Sequence, residues 1–207
     1  HQGRQIVGKR YTISSSENFK KALRHYADHL LTAYTGKTGI FSSRFVFIGK
    51  KTKTSEKQVY TCNIDGSDLK QITFASATHL SPSWSPDGQK ILFTSYEHNN
   101  PDLFMIDVKT LKKVKVSGYK GINSGGVFSY NNQFIAFSGS VRGNTEIFLT
   151  HAKDFSKRVP LLKGHGIDVD PSFSPDGSQL AFVSGRYGNP HIFVASLKWE
   201  DGGNRVS

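Results

Sequence analysis

Short apolar runs, roughly four to six residues long and separated by polar turn residues, make up most of the chain. Lys90–Ser95 and Leu103–Ile106 are two such runs, and their length and composition are typical of β-strands. Turn residues recur roughly every dozen positions, which excludes long amphipathic helices from this region. The pattern therefore predicts a protein built mainly from short strands.

One segment near the N-terminus has a different period. Between a capping box at Ser14–Glu17 and a stop at Gly36, apolar residues recur at helical spacing. These residues are Phe19, Ala22, Leu23, Tyr26, Ala27, Leu30 and Tyr34. The pattern predicts one helix that precedes the first strand.

The strand-rich region repeats itself. Pro82–Phe93 returns as Pro171–Phe182, and Gly126–Phe137 lies between them as a diverged copy. The equivalent aromatic residues of successive copies are 44 and 45 residues apart. A second aromatic ladder has the same step, at Tyr60, Phe104, Phe148 and Phe193. A period of about 40–45 residues with four strands per unit is typical of β-propeller blades.

Each unit consists of four predicted strands, A to D, and Ser85–Gly88 has the residues that a type I turn favours between A and B. The unit before Pro82 has strands B, C and D but lacks strand A. Its predicted strands are Phe45–Ile48, Val59–Cys62 and Leu69–Ile72. Strand C of the last unit, Ile192–Ala195, brings the total to about fourteen strands.

The predicted fold class is all-β: an incomplete β-propeller of about three and a half four-stranded blades, preceded by a helix. Closed propellers typically have about four to eight blades, and an open one leaves strand edges unpaired. We therefore expect a longer native chain whose C-terminus supplies strand A to the first blade.

Composition narrows the range of partners. The formal net charge is +11, but basic residues are spread along the chain and no nucleic-acid-binding motif accompanies them, so nucleic acid is not an expected partner. Cys62 is the single cysteine, which excludes an internal disulfide and a Cys-rich zinc site. No apolar run approaches the roughly 20 residues of a membrane-spanning helix.

The motifs of common catalytic and metal sites are absent. The sequence has no Gly-x-Ser-x-Gly elbow, and no local spacing enforces a catalytic triad. Asn63–Asp68 resembles a calcium loop but lacks the downstream Glu, and is interpreted as a C–D hairpin. His79, His98 and His165 are interpreted as polar loop residues rather than zinc ligands. We therefore expect neither enzymatic activity nor a bound metal or cofactor.

Propeller geometry predicts a binding face. If strand A is innermost, the D–A loops cross from the outer edge to the centre, and their last residues surround the channel mouth. The predicted partner-binding residues are Thr78, His79, Leu80, Ser81, Ile122, Asn123, Ser124, Ile167, Asp168 and Val169. The B–C loops add His98, Asn99, Arg142 and Arg186 farther out.

Two features together resemble a known family. Gly36–Ile48 follows an Ala/Leu-rich helix, and Pro-Ser-aromatic-Ser-Pro-Asp-Gly units follow in turn. This combination resembles the TolB family, periplasmic propeller proteins of the Tol-Pal cell-envelope system. The resemblance implies a ring of about six blades, with residues 1–39 as the end of an N-terminal α/β domain and residues 40–207 as part of the propeller. Ser129–Asn132 departs from the family's Ser-Pro-Asp-Gly pattern.

The resemblance also implies a function. It predicts a non-enzymatic, periplasmic, protein-binding scaffold that captures partners at the channel mouth and supports envelope integrity and cell division. The implied partners are the peptidoglycan-associated lipoprotein (Pal) and the inner-membrane Tol proteins. Two alternatives are the gating propeller of a serine peptidase, with its hydrolase domain elsewhere, and a cytosolic scaffold.

Overall fold

A computed structural model of the protein describes residues 8–141, 143–161, 166–200 and 203–206. Within these ranges the chain forms one helix, α1 (Ser16–Thr35), followed by fifteen strands. None of the described helical residues belongs to a segment with both the length and the apolar character needed to cross a bilayer.

The strands form four sheets, each composed of strands that are consecutive in the sequence. The first sheet, blade 1, has three strands: β1 (Arg44–Gly49), β2 (Gln58–Asn63) and β3 (Lys70–Gln71). Blade 2 contains β4 (His79–Trp84), β5 (Lys90–Ser95), β6 (Asp102–Asp107) and β7 (Lys113–Ser117). Blade 3 contains β8 (Asn123–Phe128), β9 (Phe134–Val141), β10 (Asn144–His151) and β11 (Asp154–Pro160). Blade 4 contains β12 (Asp168–Phe173), β13 (Gln179–Tyr187), β14 (Asn189–Glu200) and β15 (Gly203–Val206).

This topology confirms the incomplete propeller and its predicted phase. Among the described residues, blade 1 has strands B, C and D and no strand A of its own. The predicted total of fourteen strands was one short, because β15 pairs with β14 as strand D of blade 4. Its sequence, Gly203–Val206, has no alternating apolar run, so the pattern could not reveal it.

The chain divides into two compact units. The first contains the described residues up to Phe45 together with Thr61–Lys70, and the second contains Val46–Tyr60 and the residues from Gln71 onward. In the first unit, Arg24 of α1 forms an ion pair with Asp65, with 3.0 Å between Nη1 and Oδ2.

Helix α1 begins one residue later than the capping box predicted. Ser15, rather than Ser14, is the N-cap, and its hydroxyl accepts a hydrogen bond from Asn18 N at 3.1 Å. Gly36 ends the helix in the left-handed conformation, with φ of 68°. None of the helix residues is buried, and Phe19 and Leu23 are more than half exposed. Of the predicted apolar stripe, Phe19, Leu23 and Tyr34 are exposed, and the other four residues are partly buried.

The A–B turns repeat one hydrogen-bond pattern. In blade 2, Ser85 donates its hydroxyl to Asp87 Oδ1 at 2.6 Å, and Gly88 N donates to Ser85 O at 2.8 Å. Blade 4 has the same two bonds at Ser174–Gly177, with lengths of 2.6 and 2.9 Å. The diverged turn of blade 3 keeps them, because Asn131 accepts from Ser129 at 2.7 Å and Asn132 adopts a positive φ of 59°. Both predicted glycine turns are confirmed.

Apolar clusters fill the junctions between adjacent blades. One cluster joins blades 1 and 2, a second joins blades 2 and 3, and a third joins blades 3 and 4. Within each blade the predicted aromatic ladder residue stacks on a strand-B phenylalanine, with centroids 5.9–6.0 Å apart. The pairs are Tyr60 on Phe47, Phe104 on Phe93, Phe148 on Phe137 and Phe193 on Phe182.

Strand C of blade 4 differs from its equivalents in burial. Leu103 and Ile147 are fully buried between blades, whereas Ile192, at the matching position, is 78% exposed. Val194 is likewise 61% exposed. This face of blade 4 is thus apolar and open.

Candidate functional site

The first residue of strand A is a buried polar residue in blades 2, 3 and 4. These residues are His79, Asn123 and Asp168, with exposures of 0, 0 and 2%. Each pairs with a strand-B residue at the same register position, namely Ser95, Gly139 and Ser184. We call the three residues the strand-A anchors. The sequence predicted all three as partner-binding residues, and the structure describes their side chains as buried.

Each anchor satisfies its polar atoms in a different way. His79 lies between Thr73 Oγ1, at 2.8 Å from Nδ1, and Glu97 Oε1, at 3.2 Å from Nε2. Burial lowers the pKa of His79 against the opposing hydrogen bond and charge of Glu97. Asn123 accepts from Ser117 Oγ at 2.7 Å and donates to Tyr119 O at 2.7 Å.

The anchor of blade 4 is charged. Asp168 forms an ion pair with Arg186, whose Nη2 lies 3.3 Å from Oδ1. The Arg186 guanidinium also lies over the rings of Phe182 and Phe193, at 5.3 and 5.0 Å from their centroids. Arg186, predicted as an outlying binding residue, is therefore held against its own blade.

The residue before each anchor sits at the surface on a fixed backbone. The carbonyls of Thr78, Ile122 and Ile167 accept from the amides of Tyr96, Ser140 and Gly185, at 3.1, 2.8 and 3.0 Å. The side chains of Ile122 and Ile167 are 40% and 58% exposed. Exposed isoleucines on a hydrogen-bonded backbone are presented in a defined position. We call these three residues the rim residues.

The residues after each anchor form a bulge in strand A. The register shifts between Leu80 and Ser83, between Ser124 and Val127, and between Val169 and Ser172. Each bulge contains one residue with a positive φ: Ser81 at 49°, Gly125 at 62° and Asp170 at 53°. Leu80, Ser124 and Val169 are partly buried, and Ser81 is exposed.

Sequence reasoning missed two features of this region. Asp170 was not among the predicted residues, although it is exposed and its amide donates to Ser138 Oγ at 3.1 Å. Tyr187, the last residue of β13, is 78% exposed. The repeat offered a signal for Asp170, because it occupies the position of Ser81, which the sequence did single out.

The other predicted residues fall in various places. His98 is exposed and its Nδ1 lies 3.4 Å from Asp102 Oδ2, while Asn99 is exposed with φ of 55°. Arg142 and His165 lie outside the described residues.

Neither a metal cluster nor the calcium loop appears in the part of the chain that the structure describes. No group of three or more His, Cys, Asp or Glu side chains there is arranged to hold a metal ion. The Asn63–Asp68 segment forms the predicted C–D hairpin, in which Asn63 N donates to Ser67 O at 2.8 Å.

Comparisons with known proteins agree with the geometry. Residues 31–207 match the family model described as the TolB beta-propeller domain. The Protein TolB homolog of Chlorobium chlorochromatii is 36% identical over 185 residues, which cover 89% of this chain and 40% of that protein. The Tol-Pal system protein TolB of Bordetella pertussis is 30% identical over 200 residues, or 97% of this chain and 44% of that protein. The chain thus spans less than half the length of the curated relatives it matches.

Solved structures show the same relationship. The crystal structure of TolB from Acinetobacter baumannii superposes with a TM-score of 0.81 at 25% identity, covering 97% of this chain and 50% of that one. A prolyl endopeptidase superposes with a TM-score of 0.57 at 14% identity, covering 91% of this chain and 33% of that one. Likeness at that identity reflects the propeller fold alone. The chain therefore belongs to the TolB family, and residues 31–207 form part of its β-propeller domain.

Proposed function

We propose that this chain is the protein-binding part of a non-enzymatic scaffold of the Tol-Pal system, located in the periplasm. The observation that carries the proposal is the set of rim residues. Ile122 and Ile167 have exposed apolar side chains at equivalent points of blades 3 and 4, Thr78 occupies that point in blade 2, and the carbonyl of each accepts a backbone hydrogen bond. Function on rigid scaffolds is concentrated in such loop ends.

The chemistry of the rim suits an extended polypeptide partner. Ile122 and Ile167 offer apolar contacts in blades 3 and 4. In blade 2, Thr78 and Ser81, on either side of the anchor His79, offer hydroxyl groups. Interfaces draw most of their affinity from a few well-packed central residues, and the surrounding contacts contribute little. The partners proposed are the peptidoglycan-associated lipoprotein and the inner-membrane Tol proteins. Their recognition at the rim would support envelope integrity and cell division.

The test measures binding of the full-length protein to the soluble part of the peptidoglycan-associated lipoprotein by isothermal titration calorimetry. Ile122→Asp and Ile167→Asp should each weaken binding at least about tenfold, or about 1.4 kcal/mol. Both side chains are exposed, so the melting temperature should stay close to that of the wild type.

Val159→Asp is the matched control. Val159 is 49% exposed on β11, at the opposite edge of the blade 3 sheet from Ile122. The control should leave the affinity within about twofold of the wild type, since peripheral changes cost little. An equal loss in all three variants, or a loss in Val159→Asp alone, would place the binding surface elsewhere.

A further inference from the structure

His79 is fully buried where blades 1 and 2 meet. Its backbone amide donates to Lys57 O at 2.9 Å, and its ring contacts Phe93 edge-on with 5.0 Å between centroids. Both ring nitrogens have polar neighbours, Thr73 on one side and Glu97 on the other. The protonation of this ring is therefore determined by which neighbours can donate and which can only accept.

Thr73 can only accept from His79. Its hydroxyl donates to Gln58 Oε1 at 2.8 Å and accepts from Val59 N at 2.9 Å. A hydroxyl has one proton and two acceptor lone pairs. The proton is directed to Gln58, so the remaining lone pair faces His79, and Nδ1 must carry a hydrogen.

The orientation of the Gln58 amide supports this assignment. Its Nε2 donates to the carbonyls of Ala75 and Ala77 at 2.8 and 3.0 Å. Reversing the amide would place its oxygen against both carbonyls, which leaves two acceptor–acceptor contacts. Gln58 Oε1 therefore stays an acceptor, and the Thr73 proton stays on that bond.

The second ring nitrogen then depends on pH. A neutral ring with hydrogen on Nδ1 presents a lone pair at Nε2, 3.2 Å from a carboxylate oxygen of Glu97. Glu97 is already paired with Lys113, whose Nζ lies 2.6 Å from each of its oxygens. Only a second proton on His79 converts the contact with Glu97 into a hydrogen bond. We propose that His79 and Glu97 form a proton-operated latch that ties the β5–β6 loop to β4 when the surroundings become acidic.

Solvent can deliver that proton. His79, Glu97 and Lys113 line a cavity of about 260 Å³, and the side chains of Glu97 and Lys113 are partly exposed. Two charged residues of the β1–β2 loop also lie close by. Glu56 Oε2 accepts from the Thr78 hydroxyl at 2.6 Å, and the Lys57 carbonyl accepts from the His79 amide.

The energetic cost of the latch is the burial of a charge. Burial lowers the pKa of His79, and the positive charge of Lys113 lowers it further, against the hydrogen bond and charge of Glu97. Burial raises the pKa of Glu97, but the hydrogen bonds and charges of Lys113 and His79 together keep that pKa below its ordinary value. Because the folded-state pKa of His79 lies below 6.5, the unfolded chain binds protons first. Acid therefore closes the latch while lowering global stability.

The other blades provide internal comparisons. The equivalent anchors, Asn123 and Asp168, are hydrogen-bonded or ion-paired to Ser117, Tyr119 and Arg186, and none of these residues is a histidine. Among the three anchors, the response to pH is thus confined to His79 and to the junction of blades 1 and 2.

The first test is nitrogen-15 NMR of the full-length protein. At about pH 7.5, His79 should be the neutral tautomer with hydrogen on Nδ1, which is the minor tautomer of free histidine. Below the ordinary histidine pKa of 6.5, a second hydrogen should appear on Nε2. A neutral ring with hydrogen on Nε2, or a doubly protonated ring at pH 7.5, would overturn the proposal.

The second test uses Glu97→Gln and His79→Asn, the latter taking the residue that blade 3 uses. A glutamine amide can donate to Nε2, so Glu97→Gln should shift the His79 titration at least about one pH unit lower, or tenfold in proton affinity. The protection factors of the amides of residues 96–100, which correct for the intrinsic slowing of exchange in acid, should rise on acidification in the wild type and in neither variant. An equal change in protection factor in all three proteins would contradict the latch.

Discussion

Arg186 and Asp168 occupy, in blade 4, the positions that Glu97 and His79 occupy in blade 2. Nη2 of Arg186 lies 3.3 Å from Oδ1 of Asp168, which is 2% exposed. The acidic partner in blade 4 is Asp168, on strand A. In blade 2 it is Glu97, which follows strand B. A buried polar anchor is retained while the direction of the charge pair is reversed.

The first prediction concerns this ion pair. Arg186→Ala leaves the Asp168 carboxylate buried without its cation and should lower the free energy of unfolding by about 1–3 kcal/mol. The value is below that of a fully buried pair because Arg186 is partly exposed. Urea denaturation of the full-length protein measures it. The double variant Arg186→Ala/Asp168→Asn carries a neutral anchor like that of blade 3 and should be more stable than Arg186→Ala. If the two are equal, an unpaired buried charge is not the cause.

The second prediction concerns the turn acid of blade 4. Hydrogen bonds from the Ser174 hydroxyl and from the amide and hydroxyl of Ser178 lower the pKa of Asp176 from 3.8 to about 2. A lowered carboxyl pKa stabilises the fold above the unfolded-state value, and this contribution is lost as pH falls through the folded-state value. Carbon-13 NMR of the carboxyl group should therefore give a midpoint near pH 2. Ser174→Ala should move the midpoint toward 3.8, and an unchanged midpoint would show that the turn hydroxyl has no such role.

The third prediction concerns the strand-A bulges. Gly125→Ala should destabilise the protein by at least about 1 kcal/mol, because L-residues are strained at positive φ. Its Cβ would also lie 3.2 Å from Asp170 Oδ1. Ser81→Gly should be neutral or stabilising by up to about 1 kcal/mol, since it relieves the same strain at φ of 49°. Ser81→Ala, which keeps the strain and removes the hydroxyl, is the control. Chemical denaturation that ranks Ser81→Ala above Ser81→Gly would contradict this account.

The sequence predicted the strands and their phase well because both depend on local information. Pro86 and Gly88 mark an A–B turn by backbone preference alone, and the aromatic ladder marks the blade period. Asn131 and Asn132 form the same turn because Asn supplies the acceptor oxygen and tolerates the left-handed conformation. The residues of the turn therefore predict its conformation even in the diverged copy.

Burial of the anchors could not be predicted in the same way. His79 is buried because Thr73 and Glu97, 6 and 18 residues away, accept or face its ring nitrogens. Those contacts exist only after the blades have packed. A polar residue at the end of a loop is exposed by default, and the sequence alone contains no sign of its partners. The bulges at Ser81 and Asp170 are hidden for a similar reason, since serine seldom adopts a positive φ, and aspartate, although enriched there, mostly adopts other conformations.

The three anchors have a consequence for how such repeats diversify. Each anchor is satisfied by groups of its own blade or of the segment that leads into it, so histidine, asparagine and aspartate occupy one backbone position in equivalent sheets. A change at one anchor is tolerable only when its partners change with it. Each anchor and its partners therefore form a set that must change together. Replacing a complete set with that of another blade should preserve the fold, whereas replacing the anchor alone should destabilise it.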